Sequence, residues 1–205
     1  MTIRKSKTIL NIAAGKLLPL NLNSYYPYFL VNLDPCFYTS DEPSIIEHYF
    51  DEFCKKINPS TNEIRFSTMK ANEFMERTKM KFDLVTCYRY LEHVPFTEVS
   101  YFIYLLSTVV EIGGLVEIIV PDYRILSNML IQEAIAPFWN ENTNILLTTE
   151  MLNEPSCPHA SIWTSHRAHH FFENLEGRFK IQDMETKFEF DGRDIYLHFF
   201  AKRIK

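Results

Sequence analysis

Phe82-Asp83-Leu84-Val85-Thr86-Cys87-Tyr88-Arg89-Tyr90-Leu91-Glu92-His93-Val94-Pro95 places a short apolar run directly ahead of a polar, aromatic segment. Residues 82–86 have the length and composition of a buried strand. The same kind of run recurs upstream. One occupies 8–12 and stops at Ala13-Ala14-Gly15; another occupies 29–33 and ends at Asp34-Pro35. Ser44 and Glu47 form a capping box ahead of Ile45, Ile46, Tyr49, Phe50, Phe53 and Ile57, whose spacing is helical, and Pro59 closes that helix. Residues 63–67 read as a third strand, followed by a polar, Met-containing stretch.

Downstream, residues 98–112 carry a strong helical pattern, with Gly113-Gly114 as its stop. A further strand is expected over 115–120, broken by Pro121. Asp122 can cap a helix running to about residue 136. The stretch 137–164, with Pro155 and Pro158, is irregular and reads as a lid or insertion over 137–165. Ser165 then caps a short helix to Glu176, with Gly177 as its stop. Residues 179–190 and 193–203 are long strand candidates across Asp191-Gly192, a hairpin signal.

Strands alternating with helices predict an α/β fold, a Rossmann-like three-layer sandwich. Its sheet is expected to be mostly parallel and seven-stranded, with a C-terminal antiparallel hairpin, in a single domain over 1–205. In open sheets of this kind, ligands bind beyond the carboxyl ends of the strands. Residues 13–15, Asp34 and 87–89 each follow a strand and are expected along one edge.

The composition sets bounds on function. With 205 residues, 21 Lys+Arg and 26 Asp+Glu, the net charge is −5. That balance supplies no bulk field for phosphate backbones, so general nucleic-acid binding is not expected. Cys36, Cys54, Cys87 and Cys157 form no C-x-x-C pair and read as free thiols of a reducing compartment. The apolar stretch after the basic start is too short for a signal peptide, and no run approaches the ~20 apolar residues of a membrane span. A cytoplasmic protein, off the membrane, is the expectation.

A small-residue turn after the first strand, with Asp34 following 19 positions after Gly15, has the mechanics of an adenosine site. Small residues let the backbone approach a cofactor, and a carboxylate roughly 20 residues on accepts ribose hydroxyls. Leu10-Asn11-Ile12-Ala13-Ala14-Gly15, Asn32-Leu33-Asp34-Pro35, Phe82-Asp83-Leu84-Val85, Leu91-Glu92-His93-Val94 and Gly113-Gly114 through Val120-Pro121-Asp122 occur in that order. This series resembles the class I S-adenosylmethionine-dependent methyltransferases, over roughly residues 8–125.

The resemblance implies S-adenosylmethionine as cofactor. Asn11, Ala13, Ala14 and Gly15 would lie beneath its methionine and ribose, with Asp34 on the ribose hydroxyls and Pro35 and Cys36 near the adenine. Cys87, Tyr88 and Arg89 would line the methyl-transfer mouth. The implied reaction moves a methyl group to an oxygen or nitrogen of an acceptor, most simply a small molecule or sugar-like compound, by orientation rather than acid–base chemistry. Tyr123, His166 and His169 are candidate acceptor contacts.

The sequence also departs from the family pattern. Ala13 and Leu17 stand where many members carry glycine, and Ser67-Thr68-Met69-Lys70 offers no acid to the adenine. A catalytically silent methyltransferase-like module is therefore a second reading. A nicotinamide-dependent oxidoreductase is a third, poorly served by Ala13-Ala14-Gly15-Lys16-Leu17-Leu18. Neutral imidazoles and a thiolate between Cys157 and His170 have zinc-ligand chemistry, but the helical H-E-x-x-H pattern is absent and no metal is expected. His93 reads as part of the turn after the fourth strand, and Asp122 as a helix cap.

Overall fold

The computed structural model describes residues 7–12, 28–33, 63–67, 69–125, 128, 160–174, 177–189 and 194–205. Strands β1 (Lys7–Ile12), β2 (Tyr28–Leu33), β3 (Glu63–Ser67), β4 (Phe82–Tyr88), β5 (Val110–Pro121), β6 (Phe179–Glu189) and β7 (Asp194–Arg203) form one sheet in the order β3-β2-β1-β4-β5-β7-β6. β3 to β5 pair in parallel, and β7 joins antiparallel to both β5 and β6. The predicted seven strands and closing hairpin are all present. The expected helix over 45–57 and the cofactor turn over 13–15 lie outside the described residues.

Period-2 alternation assigns each strand's side chains to two faces. Leu10, Ile12, Val31, Leu33, Val85, Cys87, Val116, Ile118, Leu197 and Phe199 point into the larger core. Helices α1 (Ala71–Arg77), α2 (Val99–Val109) and α3 (Ser165–His169) cover them with Phe74, Phe102, Leu106 and Ala168. On the other face Ile9, Tyr28, Leu30 and Leu84 form a smaller cluster. In α2 the buried Val99, Phe102, Ile103, Leu106 and Val109 make a continuous apolar stripe. α1 falls in the stretch read as merely polar; its signal was the spacing of Ala71, Phe74 and Met75, all buried.

The expected helix over 98–112 is shorter. It ends at Val109, and residues 110–114 already belong to β5. The Arg203 guanidinium bonds the Val110 carbonyl and the Lys81 ammonium bonds that of Thr108, which satisfies acceptors at the helix end. Gly113 and Gly114 therefore lie within β5 rather than stopping α2. Gly113 has φ +85, and a Cβ on Gly114 would stand 2.9 Å from the Glu111 carbonyl oxygen and 3.0 Å from that of Asp83. The pair lets β5 shift register against β4 between Phe82 and Leu84. α3 is capped by Thr164, whose hydroxyl accepts the Arg167 N–H, and continues through one π-helical turn, His170–Asn174. Ser165 is thus its first residue, not its cap.

Candidate functional site

Parallel registry aligns the carboxyl ends of the central strands. Ile12 at the end of β1 pairs with Leu33 of β2 and with Cys87 of β4. The chain order reverses between β1 and β4, which makes their shared end the topological switch of the sheet. Ala13, Ala14, Gly15, Asp34 and Pro35 themselves lie outside the described residues. The strands that deliver them finish side by side at this edge.

Asn11 is fully buried within the sheet. Its amide donates to Asn32 Oδ1 at 2.6 Å, and its Oδ1 accepts the Thr86 hydroxyl at 2.6 Å. The three side chains tie β2, β1 and β4 together a residue or two below their ends. Asn11 thus bonds its neighbouring strands, and the strand ends it fixes carry the candidate cofactor residues. Buried amides and hydroxyls that satisfy one another hold strand register firmly, because slippage leaves each without a partner.

The three candidates that end β4 have separate fates. The Cys87 side chain enters the larger core, where burial pushes its thiol well above the ordinary range and the Glu92 carboxylate adds to the shift. Tyr88 points to the opposite face, and its hydroxyl donates to Glu117 Oε2 at 2.7 Å. Arg89 is exposed at the strand end with φ +52, its N–H bonded to the Ile119 carbonyl at 2.8 Å. Its guanidinium lies over the Tyr196 ring, 4.9 Å from the centroid.

Leu91–His93 then form a 3-10 turn closed by the His93 N–H on the Tyr90 carbonyl. The segment at 160–163 packs onto that turn. The Glu92 carbonyl accepts the N–H groups of Ala160 and Ser161, and the Leu91 carbonyl accepts the Ser161 hydroxyl and the Trp163 indole N–H. The far end of the expected lid is therefore anchored to the Leu-Glu-His turn, with Trp163 almost wholly buried. The rest of that stretch, including Cys157 and His159, lies outside the described residues.

Tyr123 is buried just past β5, its N–H bonded to the Trp163 carbonyl. His166 and His169 are exposed on α3, and His169 Nδ1 lies 2.9 Å from the Glu173 carboxylate, whose pKa that contact lowers. Among the described residues no group of three or more His, Cys, Asp or Glu could hold a metal ion. Nor, among them, is any helix long and apolar enough to cross a membrane. Asp122 accepts the Arg124 N–H at 3.1 Å and the Thr186 hydroxyl at 2.7 Å, so it joins the turn after β5 to β6.

Sequence reasoning passed over a second polar group. Glu117 is buried in β5, with His198 Nε2 of β7 at 2.9 Å from its Oε1 and Tyr88 on its Oε2. His198 Nδ1 lies 3.6 Å from Glu185 Oε1 on β6, too long for a hydrogen bond. The available signal was a charged residue inside the apolar run 115–120 and a histidine inside 195–201. Such interruptions of a buried strand require partners.

Neither a family model nor a curated protein matches the sequence. Solved structures do. The 1,6-didemethyltoxoflavin-N1-methyltransferase of Burkholderia thailandensis, with 1,6-didemethyltoxoflavin and S-adenosylhomocysteine bound, superposes with a TM-score of 0.60. It is 11% identical over 98% of this chain and 72% of its own. A SAM-dependent methyltransferase of Methanosarcina mazei gives 0.59 at 14% identity, covering 98% and 95% of the two chains. The magnesium protoporphyrin IX methyltransferase of Synechocystis, with S-adenosylhomocysteine bound, gives 0.55 at 12% identity over 97% and 75%. At such identities the likeness is one of architecture: the chain has the fold of the class I S-adenosylmethionine-dependent methyltransferases.

Proposed function

We propose that this protein is an S-adenosylmethionine-dependent methyltransferase acting on an oxygen or nitrogen nucleophile of a small-molecule or sugar-like acceptor. The observation that carries the reading is the registry of β1, β2 and β4. It aligns the ends of β1, β2 and β4 at the topological switch, Ile12 beside Leu33 and Cys87. In the sequence the small residues Ala13-Ala14-Gly15 follow β1 and Asp34 follows β2, residue types that would admit a close backbone approach and accept ribose hydroxyls. Several proteins of the same fold are solved with S-adenosylmethionine or S-adenosylhomocysteine bound.

The cofactor supplies a methyl group already activated on a sulfonium. What remains for the protein is to hold the acceptor in line with it and to keep water away. The Asn32–Asn11–Thr86 bonds serve that task by fixing the strand ends, and the anchored 160–163 segment borders the end of β4. Calorimetric titration with S-adenosylmethionine and S-adenosylhomocysteine tests the reading. Micromolar binding is expected, weakened by Asp34→Ala through loss of charge-assisted hydrogen bonds worth about 1.5–3 kcal/mol each at most. No binding at millimolar ligand overturns the reading; unchanged affinity in the Asp34 variant removes that residue from the site.

A further inference from the structure

We propose that the outer edge of β6 pairs antiparallel with the same edge of a second copy of this chain, about a two-fold axis at Thr186. Among the described residues β6 ends the sheet, with β7 on its inner side. An edge strand presents alternate N–H and C=O groups that another strand can take up. The two halves of this edge differ. Near its start, beside the register shift between Ile181 and Asp183, the Ile181 N–H is taken by Glu173 Oε1 at 2.8 Å, from the π-helical turn after α3. Among the described residues, no hydrogen bond from outside β7 reaches the backbone from Met184 to Phe188.

That open half is complementary to itself. Glu185 and Lys187 lie on one face of β6 and bridge at 3.0 Å, both reached by water. In a symmetric antiparallel pair centred on Thr186, each Glu185 stands opposite the second copy's Lys187. The four charges then alternate round a closed square, so each ion keeps its own-chain partner and gains another. On the opposite face Met184, packed against the larger core, comes opposite the second copy's Phe188, which is 62% exposed in the single chain. Both Phe188 rings thereby leave water. Moving the axis by one residue either way sets Glu185 on Glu185 or Lys187 on Lys187, and like charges directly opposite disfavour pairing. The acids at 183 and 189 meet only at the ends of the paired segment, where solvent and salt screen them. Charges on an edge ordinarily keep strands apart. Here their alternation selects one occupant in one register, and an isologous contact of this kind closes as a dimer.

One paired edge is a small interface, so a weak dimer is expected, with a Kd of about 10–100 micromolar. Sedimentation velocity of the full chain, at concentrations up to about 500 micromolar, measures it. Lys187→Glu makes the edge wholly acidic and Glu185→Lys makes it wholly basic; each should weaken self-association about tenfold or more. Mixed in equal amounts, the two variants should associate with each other, because the acidic edge of one then meets the basic edge of the other. Phe188→Ser, at a side chain already exposed in the single chain, should weaken the dimer without unfolding it. A wild type that stays monomeric over the whole range overturns the proposal, whether the edge is vacant or serves another protein's strand. So does a dimer that both charge reversals or Phe188→Ser leave intact, since the contact then lies on another surface. Reversed variants that are folded and stay monomeric when mixed overturn the antiparallel register.

Discussion

Replacing Glu117 by alanine offers a direct measure of the buried polar group that joins the parallel and antiparallel parts of the sheet. Glu117 and His198 are 3% and 5% exposed, so water cannot replace the contacts they lose. The truncation leaves the Tyr88 hydroxyl and His198 Nε2 without their shared acceptor across three strands. Each of the two buried groups that lose this acceptor costs about 1–3 kcal/mol. A loss of about 2–6 kcal/mol is therefore expected, a large share of the ~5–15 kcal/mol typical of a domain.

Urea unfolding at neutral pH reads this as a fall in midpoint at constant slope. Glu117→Leu with Tyr88→Phe and His198→Leu should recover much of the loss, because no polar group is then left unpaired. A double-mutant cycle between positions 117 and 198 isolates their pairwise share. A loss under about 1 kcal/mol for Glu117→Ala, or a triple variant no better than the single, would refute the reasoning: the group would then be hydrated in solution.

Gly114→Ala should destabilise by about 1–3 kcal/mol, because its Cβ meets two backbone oxygens that can move only with β4 and β5. Gly113→Ala meets nothing within 4 Å and should cost only the backbone penalty of about 1–2 kcal/mol, so the order of the two thermal midpoints checks the bulge geometry. Cys87 should resist alkylation at neutral pH, since burial keeps its thiol protonated and out of reach. Peptide mapping after a short exposure to iodoacetamide reads this, and labelling of Cys87 in the folded protein at the rate of a free thiol contradicts the packing.

Much of this architecture is local in origin and therefore legible. The apolar runs at 8–12, 29–33 and 82–86 became strands at those positions to within a residue or two, because a run of that length between turn residues has few other ways to bury itself, and the alternating segment 63–67 did the same. The Asp191-Gly192 signal located the closing hairpin. The boundary of α2 failed for a physical reason. Val109 and Val110 continue the helical apolar pattern, yet β5 gains more by pairing Val110 with Phe82 than α2 does by one further turn. Helical periodicity records which residues want burial, and a β-branched pair satisfies that wish in a strand as well.

The chain alone determined the succession of the seven strands and the residues that carry the family resemblance, both of which depend on neighbours close in sequence. The tertiary structure decided who bonds to whom. Asn11 meets Asn32 across 21 positions, Thr86 meets Asn11 across 75, and Glu117 meets His198 across 81. It also turned Cys87 into the core, Tyr88 toward Glu117 and Arg89 onto Tyr196, although the three are consecutive. Alternation along a strand sends successive side chains to opposite faces, but what awaits them there is set by strand order and register, which only the closed sheet supplies.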